Sequence, residues 1–144
     1  MNNDIIKYFE LIGKIYYKLN EFEWLNIDKT NIRTYHLQLE SNMISKDSYC
    51  AIVNQFGLNV VISRIEYEDY DMDGEKQIYQ GYAMTFLSFI DKPIMLKNIT
   101  SKEYNKYLLD NYDRFEGEQK PNLKEIFEIA KEKSLDLPKD FFDI

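Results

Sequence analysis

Two long β-prone runs, Asn59 to Asp69 and Gln77 to Ile90, limit the folding options of this 144-residue chain more than anything else in it. Both are rich in Val, Ile, Tyr, Phe and Thr, residues that suit a pleated, half-buried surface. Between them lies Asp73-Gly74, the pair favoured in tight two-residue hairpin turns because both positions tolerate positive φ. The spacing predicts one long antiparallel hairpin. With a two-residue loop, Val61 pairs with Phe86, Ser63 with Met84 and Ile65 with Tyr82, which makes one continuous core face.

The flanking segments extend this into an α+β fold. From Asp4 onward, Ile5, Tyr8, Phe9, Ile12, Tyr16 and Leu19 recur at three- and four-residue spacing, the apolar stripe of an amphipathic helix capped by Asn3 or Asp4. Glu21 to Asn31 has no clean period and reads as a connecting loop whose Trp24 plugs the core edge. Arg33 to Glu40 alternates: Tyr35, Leu37 and Leu39 fall on one face, and Thr34, His36, Gln38 and Glu40 fall on the other, toward solvent. The short run Tyr49 to Val53 fits a helix capped at Ser45 or a strand turning through Asn54 to Gly57, and its shortness favours the strand.

After Pro93 come two capping-box spacings, Thr100 to Glu103 and Asn122 to Glu125, each followed by helical apolar periodicity. They are separated by the polar loop Glu116 to Pro121. Pro138 ends the regular structure before Phe141-Phe142, a pair expected to fold back on the helices. The expectation is a single α+β domain over 1–144. It consists of an N-terminal helix, an antiparallel meander sheet of three or four strands with a long hairpin, and two C-terminal helices packed on one face.

Charge enters the argument at the hairpin tip. The formal net charge is −7, and the ten residues Glu66 to Glu75 hold six carboxylates and no base. Toward this tip the strand alternation loses its apolar members, so the arm is expected to project past the core into water. An overall acidic balance argues against nucleic-acid binding, which draws on clustered Lys and Arg. Here the 18 Lys and Arg are scattered, and only Arg33, Arg64 and Arg114 are Arg. The preference for Lys over Arg, with abundant Asn, Ile and Tyr, suggests a bacterium or its phage.

Chemistry has few candidates. One Cys and one His cannot supply a structural zinc site, and a lone Cys50 cannot form an internal disulfide. Cys50 reads as a small buried hydrophobe. No nucleophile elbow, Cys-x-x-Cys, His-Glu-x-x-His or phosphate-cradling glycine loop is present. A small enzyme or ligand-binding domain would have to use His36, Arg33 or Arg64, and His36 has no visible helper. No enzyme is expected. The N-terminus lacks a basic leader region and no apolar run reaches membrane-spanning length, so a cytoplasmic location is expected.

Asp69-x-Asp71-x-Asp73-Gly74 resembles, over six residues, the first half of an EF-hand-type calcium loop, in which alternate positions supply oxygens and the glycine permits the bend. Counting on from Asp69, position 12 is Gln80 where the pattern requires Glu, position 8 is Lys76 where an isoleucine is expected, and the flanks read as strands. What the resemblance implies is a looser Ca²⁺ turn at Asp69, Asp71 and Asp73. No other cofactor is expected. A second reading makes the acids a solubilising hairpin tip that discourages edge aggregation.

The third reading uses the acids together with Tyr67, Tyr70, Tyr79 and Tyr82. Carboxylates on a projecting arm with interleaved tyrosines can pair with Arg and Lys while burying aromatic area, which suits a larger basic protein, such as a nucleic-acid-handling enzyme. The partner-binding residues are then Glu66, Tyr67, Glu68, Asp69, Tyr70, Asp71 and Asp73. The function this implies is stoichiometric inhibition, as by a phage-encoded inhibitor of a bacterial CRISPR-type nuclease defence or by a toxin immunity protein. The reading leaves open a homodimer in which a second copy covers the sheet's other face.

Overall fold

The structure, a computed structural model, describes residues 3–27, 39, 42–53, 58–88, 94–111 and 120–134. Helix α1 (Asn3–Tyr17) leads through a 3-10 turn (Leu19–Glu21) into strand β1 (Trp24–Asn26). Strands β2 (Met43–Val53), β3 (Leu58–Tyr70), β4 (Lys76–Ser88) and β5 (Ile94–Thr100) follow, then helices α2 (Ser101–Asp110) and α3 (Leu123–Lys133). The strands form one antiparallel sheet in the order β1-β2-β3-β4-β5, a meander with every neighbour adjacent in sequence.

All three helices cover one face of the sheet. Phe9, Ile12, Ile15 and Tyr16 of α1, Tyr104 and Tyr107 of α2, and Ile126 and Phe127 of α3 form one core with Trp24, Tyr49, Val60, Ile62, Met84, Phe86 and Ile99. Ring contacts tie the layers together, Tyr8 to Phe86 at 5.1 Å between centroids and Phe9 stacked on Tyr107 at 4.5 Å. Ile12, Ile15, Ile62 and Phe86 are fully buried, so truncating any of them to alanine should cost about 2–5 kcal/mol.

The opposite face is also buried at its centre within a single chain. Val61 and Leu87 cluster with Ile27 and Cys50. Between the apolar positions runs a hydroxyl seam: Ser48 is hydrogen-bonded to Ser63 and to Ser45, both at 2.8 Å, and the Thr85 hydroxyl donates to Asn98 at 2.8 Å. The hydroxyls satisfy one another, as buried polar groups must.

The helix caps are local signals and appear where the spacing places them, as a full box at α2 and as a single cap at α3. The Thr100 hydroxyl accepts the Glu103 N–H while the Glu103 carboxylate accepts the Thr100 N–H, which closes the box at the start of α2. Asn122 caps α3 by accepting the Lys124 and Glu125 N–H groups. Glu125 has a different role from the one its spacing implies: its carboxylate accepts the Tyr16 hydroxyl at 2.7 Å, linking α3 to α1. Burial, then that bond, pushes the Tyr16 pKa up to about 12.

Several expectations need correction. The sheet has five strands among the described residues, not three or four. The segment read as a loop from Glu21 contains β1, which pairs Trp24 with Ala51 and leaves the indole 1% exposed in the core. Ile94–Thr100 is a strand that its irregular apolar pattern did not announce. The strand favoured for 49–53 is present and is longer than expected, beginning at Met43 with an irregularity between Ser45 and Asp47. The strand expected at 33–40, with Arg33 and His36, lies outside the described residues apart from Leu39; the turn at 54–57 and the Phe141-Phe142 tail lie outside them as well.

The hairpin register differs by one residue. Val61 pairs with Thr85, Ser63 with Ala83 and Ile65 with Gly81, so Phe86, Met84 and Tyr82 oppose Val60, Ile62 and Arg64. A one-residue slip turns every side chain of a strand to the other face. The observed alignment puts Val60, Ile62, Met84 and Phe86 together under the helices. The cause lies in the turn, which is one residue longer than the Asp-Gly pair suggests.

Candidate functional site

The acidic segment sits on a two-stranded ribbon that outruns the rest of the sheet. On one side, β2 ends where Met43 pairs with Tyr67, and Asn42 closes the ladder: its carbonyl accepts the Glu68 N–H and its side-chain amide donates to the Glu68 carbonyl. On the other side, β5 pairs with β4 only as far as Ala83 opposite Thr100, and the Tyr82 N–H donates to the Ser101 hydroxyl at 3.1 Å. Beyond these points β3 and β4 continue with no other strand beside them among the described residues. Glu68 to Tyr70 and Met72 to Gln80 are exposed, so both faces of the ribbon meet solvent.

Within the ribbon, Tyr67 stacks on Tyr79 at 5.7 Å between centroids. Gly81 makes room for this arrangement. A Cβ there would stand 3.4 Å from the Tyr67 ring and 3.2 Å from the Ser101 hydroxyl that caps Tyr82. An aromatic ring lying across a strand glycine covers backbone that would otherwise be bare.

The tip is a three-residue loop. The Gly74 N–H donates to the Asp71 carbonyl at 3.0 Å, the Asp71 N–H donates to the Glu75 carbonyl at 2.9 Å, and Gly74 takes φ +80°. This is the pattern of a four-residue turn followed by a left-handed glycine. Asp71 organises it. One carboxylate oxygen accepts the N–H groups of Asp73 and Glu75, both at 2.9 Å, and the other accepts the Gln77 amide at 3.2 Å. The Glu75 N–H above all holds the Asp71 pKa below the ordinary carboxylate range; desolvation opposes it, and the Gln77 amide and the Asp73 N–H add to the lowering.

The other carboxylates differ in their engagement. Glu66 lies 3.5 Å from the Lys46 ammonium, and Glu68 lies 3.0 Å from Lys76, whose pKa it raises. The Glu68 pair is exposed and the Glu66 pair half-exposed; such solvent-screened pairs contribute roughly 0–1 kcal/mol, so they exchange readily for a better partner. Asp69 accepts the Tyr70 N–H at 2.8 Å. Asp73 and Glu75 have no side-chain partner among the described residues.

Of the tyrosines, Tyr70 is 69% exposed, Tyr67 and Tyr79 cover each other, and Tyr82 packs on Phe127 at 5.3 Å as part of the body. The sequence reading overlooked two exposed isoleucines, Ile44 and Ile78, on the same face of the ribbon as Glu66 and Glu68. A period-2 pattern that keeps an isoleucine outside the core was the available signal.

Asp69, Asp71 and Asp73 are not assembled as ligands: among the described residues no group of three or more His, Cys, Asp and Glu is placed to hold a metal ion. Arg64 is engaged by Asp47, its Nη2 donating at 2.9 Å and its Nε at 3.3 Å. Cys50 is buried, and desolvation pushes its thiol up to about 12, which keeps it protonated and unreactive. No helix among the described residues is long and apolar enough to cross a membrane. No protein-family model matches the chain, and comparison with curated proteins and with solved structures returns no match.

Proposed function

We propose that this is a small acidic binding protein that acts stoichiometrically in the cytoplasm on a larger basic protein, and not an enzyme. The inhibitor of a bacterial nuclease defence and the toxin immunity protein are the two settings that fit. The observation that supports this is the open ribbon. Six carboxylates stand on or at the base of an arm with both faces in solvent, and among the described residues only Glu66 and Glu68 are matched by lysines, in pairs open to solvent. A solubilising tip needs the charges but not the exposed Tyr70, Ile44 and Ile78 beside them. Apolar area rimmed by charge is the composition of a contact surface.

Within this reading the acids divide by task. Asp71 holds the turn, while Glu68, Asp69, Asp73 and Glu75 are available to Lys and Arg of a partner. The test is affinity capture from a bacterial host lysate, identification of the captured protein, and titration of its activity. The combined variant E68Q/D69N/D73N/E75Q should fold normally and lose capture, and capture by the unmodified protein should weaken with added salt. Capture by the variant at the unmodified level, or an interaction indifferent to salt, would refute the proposal.

A further inference from the structure

The ribbon has a free backbone edge. β4 pairs with β5 from Ala83 to Ser88, but from Lys76 to Tyr82 its only strand partner among the described residues is β3. The direction of the unpaired groups follows from one bond. Tyr82 directs its N–H away from β3, into the Ser101 hydroxyl. Strand residues alternate in this respect, so Gln80, Ile78 and Lys76 also direct N–H and C=O outward. Nothing among the described residues meets them, and all three residues are exposed.

Proteins usually blunt such edges with proline, bulges, inward charges or a covering segment. The edge Lys-Gln-Ile-Tyr-Gln-Gly has no proline, its ladder to β3 runs without irregularity to Tyr70 opposite Lys76, and its middle residue, Ile78, is 68% exposed. Only Lys76, at the far end, carries a charge.

We infer that this outer edge of β4, from Lys76 to Gly81, is a strand-addition site that receives an extended basic segment of the partner. The inference rests on the binding role proposed above and specifies its mode. Main-chain bonds to Ile78 and Gln80 supply the attachment, and the side chains of the added strand lie alternately beside Ile78 and Tyr79.

Charge selects the occupant. A second copy would pair β4 with β4 about a two-fold axis, which sets two six-carboxylate arms side by side and opposes the contact. A basic segment gains from the same field. Neighbouring strands lie about 4.8 Å apart, so an added strand runs about 10 Å from β3, and its Lys or Arg side chains reach Glu66 and Glu68 across Gln80 and Ile78. Those pairs would displace Lys46 and Lys76 from weak exposed contacts.

The probe is a synthetic decapeptide of alternating lysine and valine, compared with one of alternating glutamate and valine and with a lysine-valine peptide N-methylated at every residue. The lysine-valine peptide should bind in calorimetry and protect the Ile78 and Gln80 amides from hydrogen exchange, and the other two should not. Because those two N–H groups face outward, I78P and Q80P each leave the β3 ladder intact. Each should melt like the unmodified protein and lose peptide affinity, and capture of the natural partner, by roughly tenfold or more. Equal binding by the N-methylated peptide, or undiminished partner capture by both proline variants while E68Q/D69N/D73N/E75Q loses it, would overturn strand addition and leave the acidic binding role standing. Undiminished capture by the acid variant would instead remove the role itself. A dimer of the unmodified protein that I78P dissolves would overturn the inference in favour of self-pairing.

Discussion

Replacing Gly74 and Asp73 separately by alanine tests the hairpin tip from which the arm's register follows. In the three-residue loop only Gly74 needs the left-handed region, at φ +80°, and a Cβ added there meets nothing within 4 Å. The cost of Gly74→Ala is therefore conformational alone. An L-residue in that region costs roughly 1–2 kcal/mol, and the loss of glycine's freedom in the unfolded chain returns about 0.4–1 kcal/mol. The net destabilisation should be about 1 kcal/mol, a fall of about 3 °C in melting temperature for a domain of this size.

Gly74→Asn should lose less, because asparagine tolerates this conformation. Asp73→Ala should leave melting unchanged. Urea and thermal unfolding followed by the fluorescence of the single, buried Trp24 would measure all three. In a two-residue Asp73-Gly74 turn both residues would need positive φ. Equal losses from Asp73→Ala and Gly74→Ala, or no loss from Gly74→Ala, would therefore refute the three-residue loop and the register that follows from it.

Three further outcomes are expected. The Tyr104 hydroxyl is buried without a hydrogen-bond partner among the described residues, so Tyr104→Phe should raise stability by up to about 1–2 kcal/mol in urea melts, and an equal loss would reveal a partner. The Asp71 pKa is depressed in the folded arm, so the carboxylate's contribution is present above the ordinary aspartate pKa and is lost as pH falls through the folded value. Carboxyl NMR titration should place Asp71 below the ordinary range, and an unshifted titration would remove its role in the turn. With its thiol at about 12 and buried, Cys50 should resist iodoacetamide at pH 8 in the native protein and react in urea; native labelling at the unfolded rate would contradict its burial.

The elements legible from sequence are those whose cause is local. The stripe of α1 and the Thr100 and Asn122 caps need only residues three or four apart, and the alternation of β3 and β4 needs only the pleat. Strands defined by their neighbours were not legible. β1 is three residues long and exists because Trp24 to Asn26 lie against Ala51 to Tyr49. The apolar residues of β5, Ile94, Met95, Leu96 and Ile99, follow no period, and pairing with β4 makes them a strand.

For the candidate site, the number of carboxylates and their place at a hairpin tip follow from the order of the residues alone. Their division of labour does not. Asp71 in the turn, Glu66 and Glu68 against lysines, and Asp73 and Glu75 without a side-chain partner among the described residues depend on a loop one residue longer than the Asp-Gly pair suggests. That residue also settles which of Tyr79 and Tyr82 reaches solvent and which face of β4 lies under the helices. Composition and periodicity act within a segment and determine what each can become. Register is a property of two segments at once, chosen by the alignment that closes the turn's hydrogen bonds and buries Val60, Ile62, Met84 and Phe86 together, so only the folded chain decides it.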